Sequence, residues 1–233
     1  MVAPIRPFAN NISMLINNLK MVIADDKEPF YAKKHSLNRT VLKQIGLPKS
    51  EEETLPVDKY RIWVLWWQGK NEMPEVVKCA YNSICSNSPK EVVLITKKNW
   101  TEYISPEEWI VRKVQERKMT LMALSDYIRA SLLYSHGGMW IDSTVLCTER
   151  IPQYIFDSDF FTVHNFHPNT EKYVAKGRWN VQVLGTNKRH LAVFRGMLHI
   201  LTEYWRRYDH IMDYLLVDYS IDYIYNEEKN AVS

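Results

Sequence analysis

The sequence predicts an α/β fold in which a mixed, mostly parallel sheet is flanked by helices, and two observations carry that expectation. From residue 60 onward, short apolar runs alternate with longer segments whose apolar residues recur at helical spacing, the pattern of strand, helix and strand packed in layers. The run His136-Gly137-Gly138-Met139-Trp140-Ile141-Asp142 then ends one helix and enters a buried strand at once.

Taken in order, residues 10–24 place Ile12, Leu15, Ile16, Leu19, Val22 and Ile23 at helical intervals, which predicts an amphipathic helix. Its polar face is not rich in Lys or Arg, so packing on the main domain is favoured over a membrane-surface role. Lys33, Lys34, His35, Arg39 and Lys43 form a modest basic patch, read as a solvated face that offers at most a peripheral contact with anionic lipid. Pro48 to Pro56, with Glu51, Glu52 and Glu53 between, reads as a surface linker. Residues 1–57 are therefore expected to be a helical N-terminal extension with its linker, and residues 58–233 the main domain.

Within that domain, Arg61–Trp67 predicts the first strand, Pro74–Asn87 a helix and Val92–Thr96 the second strand. Pro106-Glu107-Glu108 marks a further helix start. Residues 119–136 form the next helix, Met139–Ile141 a buried strand, and Phe160–Val163 and Val181–Leu184 two more strands. Leu191, Phe194, Leu198, Leu201 and Trp205 share one face of a helix over Leu191–Tyr208.

Composition narrows the function. The 233 residues are 46% apolar, enough for one large core. A formal charge of +3 is too mild for a nucleic-acid partner. Cys79, Cys85 and Cys147 form no Cys-x-x-Cys pair and leave one unpaired in any disulfide scheme, which favours reduced thiols and a cytoplasmic setting. No apolar stretch reaches the length of a membrane span and the N-terminus lacks the order of a signal peptide. Sequons at Asn11, Asn38 and Asn99 are then chance matches.

The richest segment is residues 121–144. Met122, Ser125, Asp126 and Arg129 recur at three- and four-residue intervals and so share one helix surface, beside an apolar stripe of Leu121, Leu124, Ile128 and Leu132. Gly137 suits the left-handed conformation of a helix C-cap, and Gly138 allows close backbone approach. Asp142 follows at the carboxyl end of the strand, where ligands bind in open α/β sheets.

The string Ser125-Asp126-Tyr127-Ile128-Arg129, followed by His136-Gly137-Gly138-Met139-Trp140-Ile141-Asp142-Ser143-Thr144, resembles the signature of nucleotide-sugar glycosyltransferases of GT-A fold. It is most similar to the capsular polysaccharide synthesis proteins, with DXD-type mannosyltransferases and clostridial glucosylating toxins as more distant relatives. Arg61 to Gly69 and Met73 to Cys79 resemble the same family's first strand and nucleobase loop, so the likeness spans roughly residues 60–205.

The resemblance implies a GT-A-like glycosyltransferase domain over residues 58–233, incomplete at its C-terminus because related enzymes continue further. It implies transfer of a hexose, with retention of configuration, from a nucleotide diphosphate sugar to a hydroxyl of a polysaccharide or lipid-linked oligosaccharide acceptor at the inner membrane face. Asp142 corresponds to the first aspartate of a DXD element, with Thr144 in place of the second, and the pair would hold Mn²⁺ or Mg²⁺. Asp126 and Arg129 match a pair that engages donor hydroxyls and phosphates. Asp142, Asp126 and Arg129 are thus the catalytic candidates, and Trp66, Trp67, Ser125, Asp126, Arg129, Gly137 and Gly138 the donor-binding ones. His164 and His167 read either as metal or acceptor groups or, in preference, as ordinary loop residues, and Trp179, Asn180 and Gln182 either as acceptor-groove residues or as sheet packing. An inactive nucleotide-sugar-binding subunit is the rival from another class, motivated by Thr144, and a phosphotransferase or nucleotidyltransferase the third reading.

Overall fold

Along the chain the elements are α1 Glu28–Ile45, β1 Leu55–Pro56, β2 Arg61–Leu65, α2 Glu75–Asn87, β3 Glu91–Ile95, α3 Trp100–Tyr103, α4 Glu108–Gln115, α5 Leu121–His136, β4 Gly138–Ile141, α6 Gln153–Phe156, β5 Phe161–Thr162, β6 Val183–Thr186, β7 Lys188–Arg189, α7 Ala192–Arg207 and α8 Leu216–Val232. This computed structural model describes residues 28–49, 52–164 and 172–232. The amphipathic segment at residues 10–24, and His167, lie outside the described residues.

The central sheet runs β3-β2-β4-β6-β5. β2 pairs in parallel with β3 and β4, whereas β6 pairs antiparallel with both β4 and β5. The sheet is therefore mixed, with its parallel half built by the helical crossovers read from the sequence. A separate two-stranded ribbon pairs β1 with β7.

Period-two alternation divides the core between the two faces of the sheet. Ile62, Val64, Met139 and Ile141 face α2 and α6, meeting Val77, Tyr81, Ile84, Ile155 and Phe156. Trp63, Trp140, Val93, Ile95 and Leu184 face the other way, onto α5, α7 and α8. Trp63 and Trp140 are almost wholly buried; each removes roughly 200 Å² from water, on the order of 5 kcal/mol as an upper estimate. The Trp63 indole N–H is satisfied by the carbonyl of Gly137 at 2.9 Å.

The helix α5 begins at Thr120, whose hydroxyl accepts from the Ala123 amide, and ends at Gly137 with φ 64°. Gly137 and Gly138 serve backbone approach here. A Cβ on Gly138 would stand 2.4 Å from the Arg61 carbonyl oxygen, and one on Gly137 2.8 Å from that of Lys188. Only glycine lets β4 enter the sheet at this point.

Residues 28–45 pack on the main domain, with Leu42 on α1 fully buried within its core. The expected solvated basic patch is corrected, because three of its five members turn inward toward α8 and the residues just before it. Lys34 pairs with Asp213 at 2.8 Å, Arg39 with Asp222 at 2.8 Å, and the His35 ring meets the Tyr219 hydroxyl at 2.5 Å. Lys33 and Lys43 remain exposed. The expected linker likewise contributes strand β1. The sequon residue Asn38 is buried and donates to Asp213 at 3.0 Å. Among the described residues, no helix is long and apolar enough to cross a membrane.

Candidate active site

A cavity of about 660 Å³ opens at the carboxyl ends of β2 and β4, where an open α/β sheet places its ligands. α5 supplies Met122, Ser125, Asp126 and Arg129 to its wall, β4 and the turn after it supply Trp140, Asp142 and Thr144, and Trp66 and Trp67 close another side. Helical spacing accounts for the first group, since residues separated by three or four positions stack on one face.

Arg129 is the centre of this wall. One terminal nitrogen donates to Asp126 Oδ1 at 2.8 Å and the other to Asp142 Oδ1 at 3.1 Å. Its guanidinium carbon lies 4.9 Å from the centre of the Trp140 ring, a cation–π contact in a desolvated setting. The indole N–H of Trp140 donates to the same Asp142 oxygen at 2.6 Å. Arg129 is only 5% exposed, and its Nε is buried without a hydrogen-bond partner. Leaving a charged donor in that state costs about 1–3 kcal/mol, so the guanidinium is held in position at the expense of one of its bonds.

Burial pushes the Asp126 carboxyl up to about 6; Arg129 opposes that rise, while the Asp218 and Asp142 carboxylates add to it. Asp218, in the first turn of α8, also lines the cavity. It is 8% exposed and accepts from the Trp179 indole N–H at 2.9 Å. Burial raises its carboxyl to about 6 as well, with Trp179 and Arg129 opposing and Asp213 assisting. Sequence reasoning missed Asp218. The available signal was a pair of acids, Asp218 and Asp222, four residues apart inside the otherwise apolar run Leu215 to Ile224, since an acid on a buried helix face needs a partner or a role.

Trp66 and Trp67 both reach the cavity although strand alternation would send them to opposite faces. β2 ends at Leu65, and the chain turns, with the Gly69 amide bonded to the Trp66 carbonyl at 3.0 Å. Trp66 donates to the Glu72 carbonyl at 3.3 Å, while Trp67 tilts against Trp100 with ring centres 5.8 Å apart. Thr144 is exposed at the cavity edge. Trp179, Asn180 and Gln182 also line the cavity, and the Asp142 amide is tied to the Gln182 carbonyl at 2.9 Å.

Two expected groups stand elsewhere. Gly138 opens β4 and Gly137 caps the helix before it, four and five residues from Asp142 and so about 13 Å or more of strand away, and neither lines the cavity. His164 is exposed and also outside the cavity wall. Among the described residues no cluster of three or more His, Cys, Asp or Glu could hold a metal ion unaided. Asp142 and Thr144 offer one carboxylate and one hydroxyl, and the Arg129 and Trp140 hydrogen bonds to that carboxylate are both on Oδ1. That donor set fits a hard cation that brings most of its oxygen ligands with a bound phosphate group and water.

No match was found among curated proteins. Among solved structures, the chain is similar to one named PaToxG Glycosyltransferase, with 15% sequence identity and a TM-score of 0.49 over 94% of this chain and 81% of that one. A family model described as "Capsular polysaccharide synthesis protein" matches residues 17–233. The match covers nearly the whole chain, including every element of the cavity wall, and the chain belongs to the capsular polysaccharide synthesis protein family.

Proposed function

We propose that the protein is a GT-A-type glycosyltransferase that moves a hexose from a nucleotide diphosphate sugar to a hydroxyl of a capsular or exopolysaccharide intermediate. The observation that carries this reading is Arg129, a buried guanidinium fixed between Asp126 and Asp142 on a cavity wall that also presents two indoles. Arg129 is the only Lys or Arg among the described residues lining the cavity, whereas Asp126, Asp142 and Asp218 supply three carboxylates.

That balance of charge bears on the donor. A diphosphate carries negative charge into a site with more acids than bases, and one guanidinium does not offset it. A divalent cation bound with the diphosphate at Asp142 and Thr144 would neutralise charge on the departing nucleoside diphosphate. The protein's own groups do the rest. Arg129 directs donors to phosphate oxygens or sugar hydroxyls, and Asp126 keeps its fork oriented. Trp66 or Trp67 offers a flat face for the nucleobase, a contact worth roughly 1–3 kcal/mol in single-stranded nucleic-acid proteins. The Asn180 and Gln182 wall is left for the acceptor. Retention by attack from the leaving-group face asks little of a protein base.

The test is incubation of the purified protein with a panel of nucleotide hexoses and Mn²⁺, followed by identification of the nucleotide released. A glycosyltransferase liberates nucleoside diphosphate from one or a few donors. Release of monophosphate or pyrophosphate instead indicates a phosphotransferase or nucleotidyltransferase, and binding without any release indicates the non-catalytic subunit.

A further inference from the structure

We infer that Asp218, oriented by Trp179, is a specificity-determining residue that accepts hydrogen bonds from hydroxyl groups of the transferred sugar. The inference rests on the proposed nucleotide-sugar reading and adds a role for a helix outside the segment that carries the sequence resemblance.

Three observations converge. Asp218 is 8% exposed yet forms part of the cavity wall, so the little surface it retains faces the ligand space. Its Oδ1 is held by the Trp179 indole N–H at 2.9 Å, and Trp179 is itself 5% exposed and clamped by the Arg178 guanidinium 4.4 Å from its ring centre. The carboxylate is thereby fixed rather than free to swing to solvent. It also lines the same cavity as Arg129 and Asp126.

Chemistry selects the ligand group. A carboxylate accepts and does not donate when ionised, so it repels phosphate oxygens and suits hydroxyls, which a hexose supplies in number. A fixed acceptor in a nearly dry wall also discriminates strongly, because an epimer that turns the hydroxyl away leaves the buried carboxylate with one hydrogen bond fewer and no water to replace it. The α8 helix is well anchored for this purpose. Asp222, one turn on, is bound by Arg39 at 2.8 Å and Arg178 at 2.7 Å, and Asp213 just before the helix is bound by Lys34.

The test compares wild type, Asp218→Asn and Trp179→Phe in the full chain, all checked for unchanged circular dichroism. Titration with nucleoside diphosphate and Mn²⁺ is expected to give Asp218→Asn an affinity no weaker than wild type, because a negative charge has been removed from a diphosphate site. Turnover of the preferred nucleotide hexose, as kcat/KM, is expected to fall by about tenfold to a hundredfold, and the ratio of kcat/KM between that donor and its hexose epimers is expected to collapse toward one. Trp179→Phe is expected to shift the same ratio in the same direction by a smaller factor. An unchanged epimer ratio in a folded Asp218→Asn overturns the proposal, as does a loss of nucleoside diphosphate affinity that accounts for the whole defect. Failure of the wild type to bind any nucleoside diphosphate contradicts the underlying functional reading, and the proposal falls with it.

Discussion

Arg129 reaches Asp142 at 3.1 Å across the junction between α5 and β4, linking the helix that carries the Ser-Asp-x-x-Arg string to the strand that ends in aspartate. The same guanidinium holds Asp126 one turn earlier. An exposed pair at that helical spacing contributes only about 0.2–0.5 kcal/mol; here burial and the second carboxylate convert it into a rigid unit. Removing the fork while keeping the charge isolates its contribution. Arg129→Lys is expected to lower nucleoside diphosphate affinity at least about tenfold and kcat/KM further, read by titration calorimetry and steady-state kinetics. Near-native values would make Arg129 a structural ion pair.

Leu42→Ala tests whether α1 belongs to the core. Leu42 is fully buried, so truncation is expected to cost about 2–5 kcal/mol in denaturant unfolding, with a single transition. A loss below about 0.5 kcal/mol would show that α1 adds little to the core.

How legible this was depended on how apolar each buried face is. The path from α5 through Gly137 to Asp142 was readable because its apolar stripe, helix stop and strand tip are each marked by residue type. α1 was not, since its inward positions His35, Asn38 and Leu42 are two-thirds polar and dilute the hydrophobic period. α8 hid for the opposite reason. Leu216, Val217, Tyr219, Ile221, Tyr223 and Ile224 are all buried together with Asp218, Ser220 and Asp222, so the helix has no solvent face to set its period, and Asp218 went unread with it. What Gly137 and Gly138 approach was not legible, because a sequence shows that the backbone comes close without showing to what. Here it is the backbone of Arg61 and Lys188.

The raised Asp218 carboxyl sets a pH dependence of stability. A carboxyl whose folded-state pKa lies above its unfolded value stabilises the fold most below the unfolded pKa and loses that contribution as pH rises through the folded one. With the ordinary carboxyl value at 3.8 and the folded value at about 6, Asp218 lowers stability progressively as pH rises between those values. Asp218→Asn is therefore expected to raise the thermal midpoint at pH 7.5, by a gain on the order of 1–3 kcal/mol, and to leave it nearly unchanged at pH 4. An equal effect at both pH values would show that the carboxylate is not strained by burial.

Thr144 stands where a second carboxylate would strengthen a cation site. Thr144→Asp is expected to tighten Mn²⁺ binding in the presence of nucleoside diphosphate by about tenfold, measured by titration of the metal, because a charged oxygen ligand replaces a neutral one. Unchanged metal affinity in a folded variant would place Thr144 away from the diphosphate.

The most direct test of the central claim is calorimetric titration of wild type and Asp142→Ala with a panel of nucleoside diphosphates in Mn²⁺. Asp142 sits at the strand tip, half-buried, with Arg129 and Trp140 on one of its oxygens, and Asp126 still holds the guanidinium when Asp142 is lost. The account predicts that wild type binds at least one nucleoside diphosphate in a metal-dependent manner and that Asp142→Ala, although less stable because a buried guanidinium loses a partner, weakens that binding at least about tenfold in a protein with wild-type circular dichroism. Equal affinity in the two proteins, or no binding by wild type, would contradict it.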